Sequence, residues 1–188
     1  MQESRRVRMT KRMMKDSLLE LMEKMPLSKI TIKDVCDNAD VNRTTFYVYY
    51  ESIDQLLNDI ENDIFAKIPI SQDVPTAGAH NEFLETLAAF FDYIKENRKI
   101  FEVLILKSDS GAFCARLIEM IKEKYRQQYF PSDSLLDEYE SVYCIHGTMG
   151  MLKFWLETGF PFSGRKLAEL ALQMSIQATE VSEEILQE

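Results

Sequence analysis

The chain has 188 residues, of which 46% are hydrophobic, 11% aromatic and 28% charged, a mixture that excludes a disordered chain and suits a folded globular protein. Only 6 Gly and 5 Pro occur, well under the average usage of about 7% and 5%, which argues against a turn-rich β architecture and for helices. The net charge of -9 is unevenly spread: residues 1–50 carry ten Lys/Arg against seven Asp/Glu, a net of +3, and the remainder carries twelve against twenty-four, a net of -12. A basic end on an acidic chain suggests contact with a polyanion at that end alone. The steepest part is the start, where Arg5, Arg6, Arg8, Lys11, Arg12 and Lys15 face only Glu3.

The prolines at 26, 69, 75, 131 and 161 punctuate long proline-free stretches with apolar residues at helical spacing. Met14, Leu18, Leu21, Met22 and Met25 form one stripe of an amphipathic helix expected over about 9–25. Thr31 is placed to cap a short helix to about Ala39, with Asp34 three residues on; Asn42 caps a third through about Tyr49, and Ser52 a fourth to about Ile68. The stretch 69–79, PISQDVPTAGA, has linker composition and divides a head at 1–68 from a body at 80–188. In the body, helices are expected at about 80–97, 98–108, 111–129, 134–158 and 163–186, about nine in all, and no strand pattern occurs.

From Ile32 to Glu51 the spacing is that of a helix-turn-helix. Counting Ile32 as first, apolar residues fall at the fourth, eighth, tenth and fifteenth positions (Val35, Ala39, Val41, Phe46), with small Cys36 at the fifth. The ninth, Asp40, must turn the chain with φ > 0, which Asp tolerates better than most residues. On a helix starting at Arg43, Phe46 and Tyr50 share a core face, while Arg43, Thr44 and Tyr47 share another. That outer face offers a guanidinium for guanine edges or phosphate, and hydroxyls from Thr44, Thr45, Tyr47 and Tyr49; Tyr47 and Tyr49 could instead pack on the first helix.

The run TIKDVCDNADVNRTTFYVYYESIDQLL resembles the DNA-binding domain of the TetR family of transcriptional regulators, a likeness covering about 8–65 with its motif at about 31–51. The resemblance implies an all-α protein, an N-terminal three-helix DNA-binding domain followed by a helical ligand-binding and dimerisation domain. It also implies DNA contacts from Thr31, Lys33, Asn42, Arg43, Thr44, Thr45, Tyr47 and Tyr49, with the Thr31-capped helix start aimed at a phosphate. One departure stands out: Glu51, Ser52, Ile53 and Asp54 occupy the place where the family commonly puts a backbone-clamping Lys, and the basic N-terminal arm is the candidate substitute.

Residues 80–188 resemble more loosely the C-terminal domains of TetR-type regulators of low-GC Gram-positive bacteria, through NRKIFEVLILKS and GTMGMLKFWLETG. The resemblance implies a homodimer through the last two helices, with Gly147, Gly150, Leu167, Leu170 and Met174 at the interface. Glycine inside a helix costs about 1 kcal/mol unless a backbone packs closely there, and packing inside one chain is the alternative. It also implies a pocket for an unknown small-molecule effector, with Phe91, Phe101, Phe113, Tyr125, Tyr143, His146 and Phe154 as candidates and a purely structural core as the alternative. No spacing of His, Cys and carboxylates suits a metal, no cofactor or catalytic motif is present, and Cys36, Cys114 and Cys144 are expected as buried hydrophobes in a reducing cytoplasm. No stretch is long enough for a membrane span. The resulting expectation is a repressor that binds a pseudo-palindromic double-stranded DNA operator; the rival is a protein-binding adaptor or co-activator on the same scaffold, and an enzyme is excluded.

Overall fold

The computed structural model describes residues 4–69, 80–107, 111–129 and 134–186, with backbone alone at 80, 125–129 and 181–186. Its described residues contain no strand and form helices that fall into two compact units. Each is built from its own apolar stripe.

In the first unit α1 spans Arg5–Met22, capped by Ser4, whose hydroxyl accepts from the Val7 amide at 3.3 Å. The helix thus begins four residues earlier than the apolar stripe alone indicates, because the capping Ser and a run of good helix formers extend it past the buried face. It buries Met14, Ser17, Leu18, Leu21 and Met22. A single 3₁₀ turn, Leu27–Lys29, follows Pro26 and leads into α2 (Ile32–Asn38), α3 (Arg43–Tyr49) and α4 (Ile53–Phe65). A buried polar stitch joins α1 to α2: the Ser17 hydroxyl donates to the Val35 carbonyl at 2.9 Å and accepts from the Asn38 side-chain Nδ2 at 3.2 Å.

Glu102–Lys107, read from sequence as part of a body helix at 98–108, clusters with this first unit. After the single α-helical turn of α6 (Arg98–Phe101) the backbone widens into a π-helical stretch over those six residues. It buries Val103, Leu104 and Ile105, and Lys107 Nζ donates to the Glu23 carbonyl just past the end of α1 at 3.1 Å. A cation on a helix C-terminal carbonyl also meets the negative end of the helix dipole.

The second unit holds α5 (His80–Glu96), α6, α7 (Ala112–Tyr129), α8 (Leu135–Glu157) and α9 (Gly164–Leu186). Its core is aromatic: Phe91 lies against Trp155 with ring centroids 6.0 Å apart, Phe101 against Phe113 at 6.0 Å, and Tyr93 against Phe101 at 5.8 Å. The Trp155 indole donates to the Phe162 carbonyl at 3.1 Å, which satisfies a buried polar group. After α8 the chain turns through Gly159 and Phe160, both left-handed at φ 73 and 60. Such a φ is unusual for Phe, and its ring is held edge-on to Trp155 at 4.5 Å.

Helix α5 and the first residue of α9 approach closely. A Cβ on Gly164 would overlap Asp92 Oδ1 and lie 2.9 Å from the Asp92 backbone nitrogen and 3.0 Å from Phe91 Cβ. Backbone cannot swing aside as a side-chain tip can, so Gly164→Ala is expected to lower the unfolding free energy by about 1–3 kcal/mol, read by urea denaturation. An unchanged denaturation midpoint would refute this account of the contact.

Candidate nucleic-acid interface

The turn between α2 and α3 sets the interface. Asp40 is left-handed at φ 51, as the ninth motif position demands, and the Val41 amide reaches back to the Cys36 carbonyl at 3.0 Å, closing the end of α2. Asn42 then caps α3, its side-chain oxygen accepting from the Thr44 amide at 2.8 Å. A seven-residue helix has little stability of its own, so α3 depends on its buried side, where Phe46 is wholly buried and Tyr50, at the C-cap, nearly so. Their rings pack 5.8 Å apart.

Burying that side turns Arg43, Thr44 and Tyr47 outward. Tyr47 is 59% exposed and braced edge-on by Phe46 at 5.9 Å. Val48, 70% exposed, shares this face, where the i, i+4 step from Thr44 places it. An apolar side chain there can meet a thymine methyl, a contact hydroxyl-based reasoning overlooks.

Other expected contacts are placed differently. Thr45 and Tyr49 are half-buried. Lys11 Nζ of α1 lies 5.9 Å from the centroid of the Tyr49 ring, so Tyr49 packs toward α1, the alternative open from sequence. Lys33 is exposed. Thr31, expected to leave the start of α2 open to a phosphate, instead closes a capping box: its hydroxyl accepts from the Asp34 amide at 3.2 Å, and the Asp34 carboxylate accepts from the Thr31 amide at 2.9 Å and its hydroxyl at 2.6 Å. The bond from the Thr31 hydroxyl, then that from its amide, hold the Asp34 carboxyl below its usual range, so an anion already occupies that helix end.

The basic start is a helix rather than a loose arm. Arg5, Arg6 and Arg8 stand exposed in the first turns of α1, with no acidic residue in the first turn, although cations oppose the helix dipole there. Arg12 is paired with Asp16 at 3.5 Å, and Lys15 lies between Asp59 and Asp63 of α4, at 2.9 Å and 2.6 Å.

In the second unit the seven pocket candidates do not share one site. Phe91, Phe101 and Phe113 are fully buried core. Tyr143, His146 and Phe154 lie on the exposed side of α8, with His146 Nδ1 on the Val142 carbonyl at 3.0 Å, and the Tyr125 side chain lies outside the described residues. Of the five interface candidates, Gly147, Gly150, Leu170 and Met174 are exposed, whereas Leu167, 2% exposed, is spent on the unit's own core and has no surface to offer a partner. Of the three cysteines expected to be buried, Cys36 is, whereas Cys114 and Cys144 are half-buried; desolvation pushes all three thiols up, so each stays protonated at neutral pH. Among the described residues no cluster of His, Cys, Asp and Glu could hold a metal, and no helix is long and apolar enough to cross a membrane.

The family model for the TetR-type transcriptional regulator C-terminal region matches residues 81–177, just over half of the chain. The chain belongs to the TetR family of transcriptional regulators. An uncharacterized HTH-type transcriptional regulator of Bacillus subtilis strain 168, YxbF, is 26% identical over 97 residues; the chain spans only about a quarter of that relative's length. A TetR transcriptional regulator from Streptococcus agalactiae 2603V superposes with a TM-score of 0.73 at 25% identity, covering 91% of this chain and 96% of its own. A TetR-like transcriptional regulator from Rhodococcus sp. RHA1, at a TM-score of 0.66 and 16% identity over 91% and 96% of the two chains, shares the fold. Members of the TetR family bind DNA and dimerise.

The left-handed turn at Asp40 is where this TetR head is open to a simple check. Asp40→Gly removes the Cβ strain and is expected to raise stability by up to about 1 kcal/mol, whereas Asp40→Val, β-branched at φ > 0, should lower it by about 1–2 kcal/mol. Thermal melting of both variants measures this, and a shift of the same sign in both would contradict the turn geometry.

Proposed function

We propose that this regulator binds a pseudo-palindromic DNA operator as a homodimer, reads base edges with the outward face of α3, and acts as a repressor. The observation that carries the DNA half is the face of Arg43, Thr44, Tyr47 and Val48, which combines a bidentate donor, a hydroxyl, an amphipathic ring and an apolar tip on one exposed side of a firmly seated helix. Asn42, Lys33 and the exposed Arg5, Arg6 and Arg8 are suited to hold flanking phosphates, supplying the cations absent at the start of α4. In this arrangement 1–68 serves DNA and 80–188 serves regulation and dimerisation, although Glu102–Lys107 clusters with the head.

The dimer is supported by what α8 leaves uncovered. One face buries Ser141, Met149, Leu152, Trp155 and Leu156, yet the opposite stripe, Tyr139, Val142, Tyr143, Gly147, Gly150 and Phe154, is also largely apolar and exposed. A helix apolar on both sides suits burial on both. Among the described residues nothing lies within 4 Å of a Cβ added at Gly147 or Gly150, so their packing gives no reason for either glycine. Close approach of a second chain's backbone does. Leu170 and Met174 of α9 extend the same kind of surface.

A two-fold dimer would set its recognition helices about 34–36 Å apart, on successive major grooves. A small apolar or amphipathic effector taken up among the aromatic side chains of the body would favour a different spacing, so operator and effector oppose each other reciprocally.

In a gel shift on the DNA upstream of its own gene, specific, salt-sensitive binding should be lost in Arg43→Ala and Tyr47→Ala; no specific complex with the unaltered protein would sink the proposal in favour of a protein-binding role. Independently, Phe154→Glu with Leu170→Glu should sediment as a folded monomer and lose operator binding. A persisting dimer would place the interface elsewhere.

A further inference from the structure

A recognition helix of seven residues is only about 10 Å long. Tilting it by about 10° moves its far end by nearly 2 Å, more than the tolerance of a hydrogen bond to a base edge. Its N-terminal end is fixed by the Asp40 turn and the Asn42 cap. What fixes its other end is a polar cluster that the DNA-reading face does not include. Tyr50, the C-cap, donates its hydroxyl to Asp59 Oδ2 of α4 at 2.7 Å. The same oxygen lies 2.9 Å from Lys15 Nζ of α1, and that ammonium also meets Asp63 Oδ2 at 2.6 Å. Three helices therefore converge on one carboxylate.

We propose that Asp59 is a positioning residue for DNA reading: it holds the C-terminal end of α3 by accepting the Tyr50 hydroxyl, while Lys15 fixes the carboxylate in place. This rests on α3 being the reading helix. The Asp59 carboxyl is kept below its ordinary range, since burial, which pushes it up, is outweighed by the hydrogen bonds from Lys15 and Tyr50; the acceptor is ionised at neutral pH. Lys15 is only 15% exposed and has lost its freedom to reach DNA. Its charge is spent on aiming α3, not on attracting phosphate. The ion pairs open partly to solvent at Asp59 and Asp63, so they add little stability, whereas the buried Phe46 and Tyr50 rings keep α3 docked. Loss of the carboxylate should therefore show as misaim before it shows as unfolding.

The test uses the full chain, a duplex enriched by it from a random-sequence pool, and an unrelated duplex of equal length, at a temperature where circular dichroism shows every variant folded. Tyr50→Phe and Asp59→Asn should each weaken binding to the enriched duplex about tenfold, as expected for one hydrogen bond to a charged group, and leave the unrelated duplex unaffected. The double variant should be no weaker than the weaker single one, because both act on the same bond, Tyr50→Phe by removing its donor and Asp59→Asn by removing the charge of its acceptor. Wild-type discrimination in Asp59→Asn overturns the proposal, as does a parallel loss on both duplexes that follows the melting temperature, which marks a merely structural role. Arg43→Ala separates the two levels. If it loses discrimination while Asp59→Asn keeps it, only the positioning role falls; if Arg43→Ala also keeps it, or no duplex is enriched, α3 is not the reader and both fall.

Discussion

The head of this protein depends on the burial of two rings four residues apart, Phe46 and Tyr50, under a helix too short to persist alone. Because both rings must point inward, the rotation of α3 about its own axis is decided by hydrophobic burial, and the side left outward is Arg43, Thr44, Tyr47 and Val48. Recognition chemistry and core packing are thus the two sides of one helix. Neither can be altered by shifting the register of α3 without destroying the other, and the Asp40 turn holds that register at its start.

Much of this geometry is legible in sequence because it is periodic and local. Capping residues at 31, 42 and 52, the left-handed ninth position, and the i, i+4 spacing of Phe46 and Tyr50 act within a few residues of themselves, so their outcomes follow from propensity and sterics. Interactions across the chain are not legible that way. Lys15 reads as one more cation in a basic run until α4 brings Asp59 and Asp63 to it from more than forty positions away. Its charge is evident in the sequence, but its partners decide the role.

The body shows the same limit from the apolar side. Spacing alone cannot tell whether Leu167 or Leu170 faces inward on α9, since both belong to a broad stripe; packing against α5 and α8 takes Leu167 and leaves Leu170 outside. Aromatic residues were similarly divided, with Phe91, Phe101 and Phe113 filling the core while Tyr143 and Phe154 stayed on the surface of α8. A helix lacking a polar side carries no signal for which of its two apolar faces meets its own chain.

The π-helical stretch Glu102–Lys107 bears on how the head is made. Its buried Val103, Leu104 and Ile105 cluster with residues more than thirty positions earlier, so the first unit is not contiguous in the chain. During synthesis α1 to α4 emerge first, but the apolar surface that this stretch covers stays unfilled until about residue 107 has cleared the ribosome. A fragment ending near residue 68 lacks that cover as well as the Lys107 contact to the end of α1. The head thus completes its folding only after chain destined for the body has been made, which ties the two units together in time of assembly, independently of any ligand.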